Sequence, residues 1–232
     1  MITFRAMLGR KRALLLLGLP VLLLLISVIL RATGNNDLDI STNVLQTFGL
    51  ATLLPLLALI AGTGVIGPEI DDGQIMYVLT KPIPREVIVL TKLVVAIVLV
   101  TVFAVLPTLL AGLVLIGGTA QVTPAFTIGM LAGGVTYSAV FVALGVLSRN
   151  AVTIGLLYAL VWESLLGSFA PGAKSASVLQ WSLSLTDALT DASSVTSTVG
   201  LPLALTLMVV VAVVATFLAA FRLRSLPVAS AD

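Results

Sequence analysis

The sequence contains no cysteine and no histidine. Without cysteine there is no disulfide, no thiolate nucleophile and no cysteine metal site, and the redox compartment leaves no mark on the composition. Without histidine the commonest general base and metal ligand is missing, which excludes HExxH zinc sites and Ser–His dyads. Charge is also scarce. Only 9% of the 232 residues are Asp, Glu, Lys or Arg, against about 25% in an ordinary soluble domain. Apolar residues fill the space, at 59% of the chain with a mean hydropathy of +1.20. A soluble protein of this size would expose apolar surface that it could not cover. The composition excludes a soluble enzyme, a nucleic-acid binder and a disordered chain, and it points to an all-α, polytopic membrane protein.

A helix needs about 20 mostly apolar residues, at about 1.5 Å each, to cross the hydrocarbon core. Six stretches qualify, 13–30, 45–66, 93–116, 125–147, 151–170 and 201–221, and together they hold one charged residue, Glu163. Residues 1–30 share the basic start of a signal peptide. Their 18-residue core is longer than an h-region, however, and Leu30-Arg31-Ala32-Thr33 is no small-residue cleavage site, so a retained first span is expected. The positive-inside rule then sets the orientation. Arg5, Arg10, Lys11, Arg12, Lys81, Arg85, Lys92, Arg149, Arg222 and Arg224 fall on one side, and only Arg31 and Lys174 on the other. Both termini are therefore expected in the cytoplasm, with residues 1–232 forming a single transmembrane domain in the cell (inner) membrane. Two connections stand out by length, the cytoplasmic loop 67–92 and the outer loop 171–200. Function is more often found in such loops than in the spans.

The cytoplasmic loop carries seven charges: Glu69, Asp71, Asp72, Lys81, Arg85, Glu86 and Lys92. Ile75, Met76 and Leu79, with Tyr77 and Val78 between them, suit a short amphipathic helix. Pro82 and Pro84 then break the chain. Pro84 can open a new helix, so that Arg85 to Lys92 lead straight into the third span. The expected shape is a helical hairpin at the inner membrane face.

The order acidic, acidic–Gly, Leu, Pro, Arg, Lys, here Glu69, Asp72, Gly73, Leu79, Pro82, Arg85 and Lys92, resembles the permeases of the type-2 ABC export family. The position of this motif between the second and third spans, the six spans, the cytoplasmic termini and the basic N-terminal segment extend the resemblance over nearly the whole chain. One departure is Pro84, where the family more often has Ser or another small polar residue. The resemblance implies that the hairpin is a coupling element docking on separate ATP-binding cassette ATPase subunits. It also implies that ATP and Mg are bound by those partners, and that a second permease copy, identical or related, completes the substrate path. The six-span haem-export permeases carry a similar hairpin. The chain has no ATPase site of its own. Gly62 to Gly67 matches GxGxxG but ends an apolar span with no strand before it, and Gly167 to Ser175 falls short of a P-loop because Ala173 intrudes.

Four further features are candidates. Phe4, Met7 and Leu8 share one helical face among Arg5, Arg10, Lys11 and Arg12, which suits either a short interfacial helix or a plain basic flank. Glu163 costs about 2.5–3.5 kcal/mol at a span centre, so it should face a cavity or the bundle interior near Trp162, Ser164 and Ser168. It would serve there as a polar contact in the substrate path, as a lock between subunits, or simply as a hydrogen-bonded glutamate nearer the interface. In the outer loop, Leu179, Trp181, Leu183 and Leu185 alternate as in a strand. An isolated strand at a membrane face would leave its backbone unpaired, whereas Val178, Trp181, Leu185 and Leu189 form a helical stripe. The family resemblance favours short re-entrant or interfacial helices acting as an outer gate, with Trp181 and Leu185 in it and Trp181 at head-group level. Finally, Gly129 and Gly133 form a GxxxG, and Pro20, Pro55 and Pro107 lie inside spans; these are read as packing features.

Two other classes of function compete. A stand-alone secondary transporter or channel would normally use several buried ionisable groups or two broken half-structures. A membrane-embedded enzyme would have almost no catalytic groups to use. No nucleic-acid partner and no metal are expected, and the substrate cannot be read from the spans.

Overall fold

The structure is a computed structural model and describes residues 10–35, 37–67, 84–117, 121–166, 174–190, 192 and 194–224. Its described residues form helices and no strand. In chain order these are α1 (Arg10–Ala32), α2 (Leu38–Gly64), α3 (Arg85–Leu115), α4 (Val122–Leu147), α5 (residues 151–166), α6 (Val178–Leu189) and α7 (Leu201–Arg224). Four of them, α2, α3, α4 and α7, are long and apolar enough to cross a membrane. The two remaining expected spans are shorter apolar helices, Leu16–Ala32 and Ala151–Glu163.

Helix α4 is the axis of the bundle. It is apolar on every side, as a helix surrounded by others must be, and its buried residues include Gly129, Gly133, Gly134, Ala139, Ala143 and Gly145. Small side chains let neighbouring backbones approach closely. A Cβ on Gly62 of α2 would stand 2.7 Å from Phe141 Cβ, and one on Gly145 would stand 3.1 Å from Ile66. The first glycine of the apparent dinucleotide motif is thus a helix contact. Around α4 lie α2, α3, α5, α6 and α7, while α1 packs on the second half of α3. At one end of the bundle Arg31 donates to the carbonyl of Leu115 at 3.3 Å, joining the ends of α1 and α3.

Among the described residues, three stretches wind as π-helix: Leu45–Leu53 in α2, Thr101–Val105 in α3 and Tyr158–Leu166 in α5. In the first two, a proline follows within the next turn, Pro55 and Pro107. A proline ring clashes with the carbonyl four residues back, here Ala51 and Phe103, and a wider turn moves that carbonyl aside. Thr52 follows the wider winding by donating to the carbonyl of Thr47, five residues back, at 2.9 Å. Pro20 sits in α1 without such widening.

The helices start and stop near the expected limits, with two extensions. The expected 45–66 begins earlier, at Leu38, and the expected 93–116 begins at Arg85, immediately after Pro84. Pro84 takes the N-cap position with extended backbone (φ −56°, ψ 132°), one residue before the place expected for it. The run from Arg85 through Lys92 into the span is one helix, as expected.

Candidate functional site

Helix α6 organises the half of the bundle around the Val122 end of α4. A Cβ on Gly133 would stand 2.2 Å from Ser182 Oγ, and one on Gly129 would stand 2.2 Å from Thr186 Oγ1. The steps 129→133 and 182→186 run in opposite directions, so α6 lies antiparallel on the GxxxG face of α4. By the same step Val178 falls level with Tyr137, well inside α4. At about 1.5 Å per residue, Tyr137 lies about 15 Å from the Leu147 end and about 22 Å from the Val122 end. Helix α5 climbs from the Leu147 end, with Gly155 against Leu59 and Phe141, and brings Glu163 to the first turn of α6. Helices α5 and α6 therefore meet inside the bundle.

Their junction is held by Glu163, which is fully buried. Tyr158 Oη donates to Oε1 at 2.8 Å and Ser177 Oγ donates to Oε2 at 2.5 Å. The backbone N–H groups of Val178 and Leu179 add 3.1 Å and 3.3 Å bonds. Those two N–H groups belong to the first turn of α6, which has no partners within its own helix and attracts negative charge. Ser177 is also the N-cap, accepting from the N–H of Gln180 at 3.3 Å. The carboxyl oxygens of Glu163 thus accept from two open backbone donors and two hydroxyls. Tyr137 Oη is buried beside the carboxylate without a hydrogen bond of ordinary geometry. Tyr137 stacks on Phe141 at 5.9 Å, and Phe141 meets Tyr158 edge-on at 6.2 Å.

Glu163 faces the bundle interior, one of the expected settings, and its partners among the described residues are Tyr158, Ser177 and two backbone amides of its own chain. The side chain of Ser164 and residue Ser168 lie outside the described residues, and Trp162 donates to the carbonyl of Ala176 at 3.2 Å. The expected place of Trp181 at head-group level is corrected. Trp181 faces the protein interior, 3% exposed, and donates to the carbonyl of Ser175 at 2.9 Å. The strand alternative for this loop gives way to helix α6, in which Leu185 is half-buried. Beyond α6, Ser184 donates to the carbonyl of Val199 at 2.8 Å and Asp187 accepts from the N–H of Ser197 at 2.9 Å. These contacts line a polar cleft of about 380 Å³ between α6 and the start of α7.

At the opposite end of the bundle, Arg85 opens α3 immediately after Pro84 of the loop 67–92. Its guanidinium donates to the carbonyl of Leu223 at 2.8 Å and to that of Arg224, while Arg224 pairs with Glu86. Sequence reasoning missed this contact, because nothing local links residues separated by 138 positions. Lys92 is half-buried on α3. Glu69, Asp72, Gly73, Leu79 and Pro82 lie outside the described residues, as do Phe4, Arg5 and Met7 of the N-terminal segment. Arg10, Lys11 and Arg12 form the first turn of α1. Among the described residues no group of acidic side chains is arranged to hold a metal ion.

A family model described as ABC-2 family transporter protein matches residues 8–170. The chain belongs to the ABC-2 transporter family. No curated protein and no solved structure matches it. Membership makes this ABC-2 transporter a multi-pass membrane permease and implies ABC ATPase partners. The matched segment ends before α6 and α7, so the half-helix that closes on Glu163 is known from the geometry of this chain.

Proposed function

We propose that the chain is the transmembrane permease subunit of an ATP-driven ABC exporter. It has six spans with both termini in the cytoplasm, and it works as a dimer with an identical or related copy. ATP and Mg are bound by separate ATPase subunits, which dock on the acidic–Gly–Pro hairpin of residues 67–92. The observation that carries this reading is the family match through residue 170, which includes that hairpin. The continuous helix that starts at Arg85 supports it, because a stiff helix can pass a push at its head into the membrane. Helix α6 is the outer gate in this reading, with Trp181 and Leu185 on it. The rival secondary transporter finds little support, since the carboxylate of Glu163 is committed to capping a helix and to two hydroxyls.

Expression with the P-loop ATPase of its own operon tests the proposal. A complex that co-purifies and moves substrate in proteoliposomes only with ATP is expected. Transport that follows an ion gradient without ATP overturns it. Within a working complex, Glu69→Ala and Asp72→Ala should leave membrane insertion intact and uncouple hydrolysis from transport.

A further inference from the structure

Arg85 occupies a place that its own helix does not favour. A cation in the first turn of a helix faces the positive end of the macrodipole. Its guanidinium turns away to the last turn of α7, where carbonyls are left without partners. There it donates to two of them, on Leu223 and Arg224. Both bonds come from one guanidinium nitrogen, Nη1, and hydrogen bonds from a charged donor are the strong kind. Next to it, Glu86 pairs with Arg224. That ion pair is exposed on both sides and is the weaker part of the contact. The head of α3 and the tail of α7 are thus fastened together at the point where the loop 67–92 enters α3. At its other end α7 begins beside the Val199 carbonyl that receives Ser184 of α6, and α7 packs along α6.

We propose that Arg85 is an internal joint, a positioning residue that ties the coupling segment to α7, so that α7 carries movement at the hairpin to the gate helix α6. In this arrangement Arg85 acts on its own chain and not on the docked ATPase. The joint itself is read from this chain alone, whereas its part in transport rests on the permease reading above.

The absence of cysteine allows a direct test. Val87→Cys and Phe221→Cys place spin labels at two exposed positions beside the joint. In the purified chain the distance distribution between them should be narrow, should broaden with Arg85→Ala, and should recover partly with Arg85→Lys. A distribution unchanged by Arg85→Ala overturns the joint. In the complex with ATPase, Arg85→Ala should lower transport per ATP hydrolysed at least fivefold. Loss of ATPase binding by Arg85→Ala with unchanged label distances would make Arg85 a docking residue and overturn the proposal. A wild-type chain that recruits no ATPase would sink the permease reading, and the label distances would still decide the joint. If Arg85→Ala does not yield monodisperse protein, Arg85→Lys and Glu86→Gln supply the same comparison. Glu86→Gln is expected to change the distances less than either Arg85 variant, and a larger change would overturn the primacy of Arg85.

Discussion

Ser177 donates its hydroxyl to Glu163 at 2.5 Å across 14 residues of chain, and the same hydroxyl accepts the N–H of Gln180. One side chain thereby links the end of α5 to the start of α6. Glu163→Ala would leave the hydroxyls of Tyr158 and Ser177 and the N–H groups of Val178 and Leu179 without an acceptor. Unmet buried donors cost about 1–3 kcal/mol each before relaxation, so a net loss of about 3 kcal/mol is expected from thermal unfolding in detergent. Glu163→Gln should lose more than half as much, because its amide N–H₂ would face donors. Amide exchange at Val178 and Leu179 should quicken in both variants, and unchanged exchange would contradict the capping role.

The contact between α4 and α6 makes a sharper mutational prediction. Gly133→Ala puts a methyl 2.2 Å from Ser182 Oγ and 3.3 Å from Ser182 Cβ. Overpacking of this kind costs about 1–3 kcal/mol. Adding Ser182→Ala removes the closer atom, so the double variant should regain much of the lost melting temperature. A double variant no better than Gly133→Ala would argue against this register.

Two tryptophans allow the outer half to be read by fluorescence. In Trp162→Phe the remaining Trp181 is buried, and acrylamide and brominated lipid should quench it weakly. In Trp181→Phe the remaining Trp162 is only half-buried and should be quenched more. The reverse order would return Trp181 to the membrane interface.

The orientation can be tested by labelling single cysteines in intact cells. Asn35→Cys and Asn150→Cys stand in exposed turns at opposite ends of the bundle. A membrane-impermeant maleimide should reach Asn35→Cys from outside and Asn150→Cys only after permeabilisation. The opposite result would invert the proposed topology.

Much of this architecture was legible because hydrocarbon imposes simple rules. Apolar length marked the helices, and Pro84 marked the start of α3 to within one residue. Gly129 and Gly133 were read as a packing face, but the sequence could not say which helix would occupy it. The fate of Glu163 was hidden for a related reason. A lone acid in a span has to be satisfied, and its donors, Tyr158, Ser177 and two backbone amides, are recognisable only once α6 is folded back to mid-height. The alternation of Leu179, Trp181, Leu183 and Leu185 mimics a strand because α6 is enclosed on nearly all sides over its first two turns, so helical periodicity fades there. Arg85 was singled out for a coupling role, but its contact with Leu223 was not legible, because it depends on the closure of the whole bundle.

The break between α5 and α6 also bears on how the chain enters the membrane. Helix α6, with 12 residues, reaches about 18 Å, less than the roughly 30 Å of hydrocarbon. It cannot settle in lipid by itself, because the N–H groups of its first turn would have no hydrogen-bond partners there. The insertion machinery must therefore hold this stretch until α4 offers its glycine face and Glu163 meets the first turn of α6. Assembly of the last third of the protein becomes a single late step, and a lesion at Glu163 would register first as slow biogenesis and proteolytic loss in the cell.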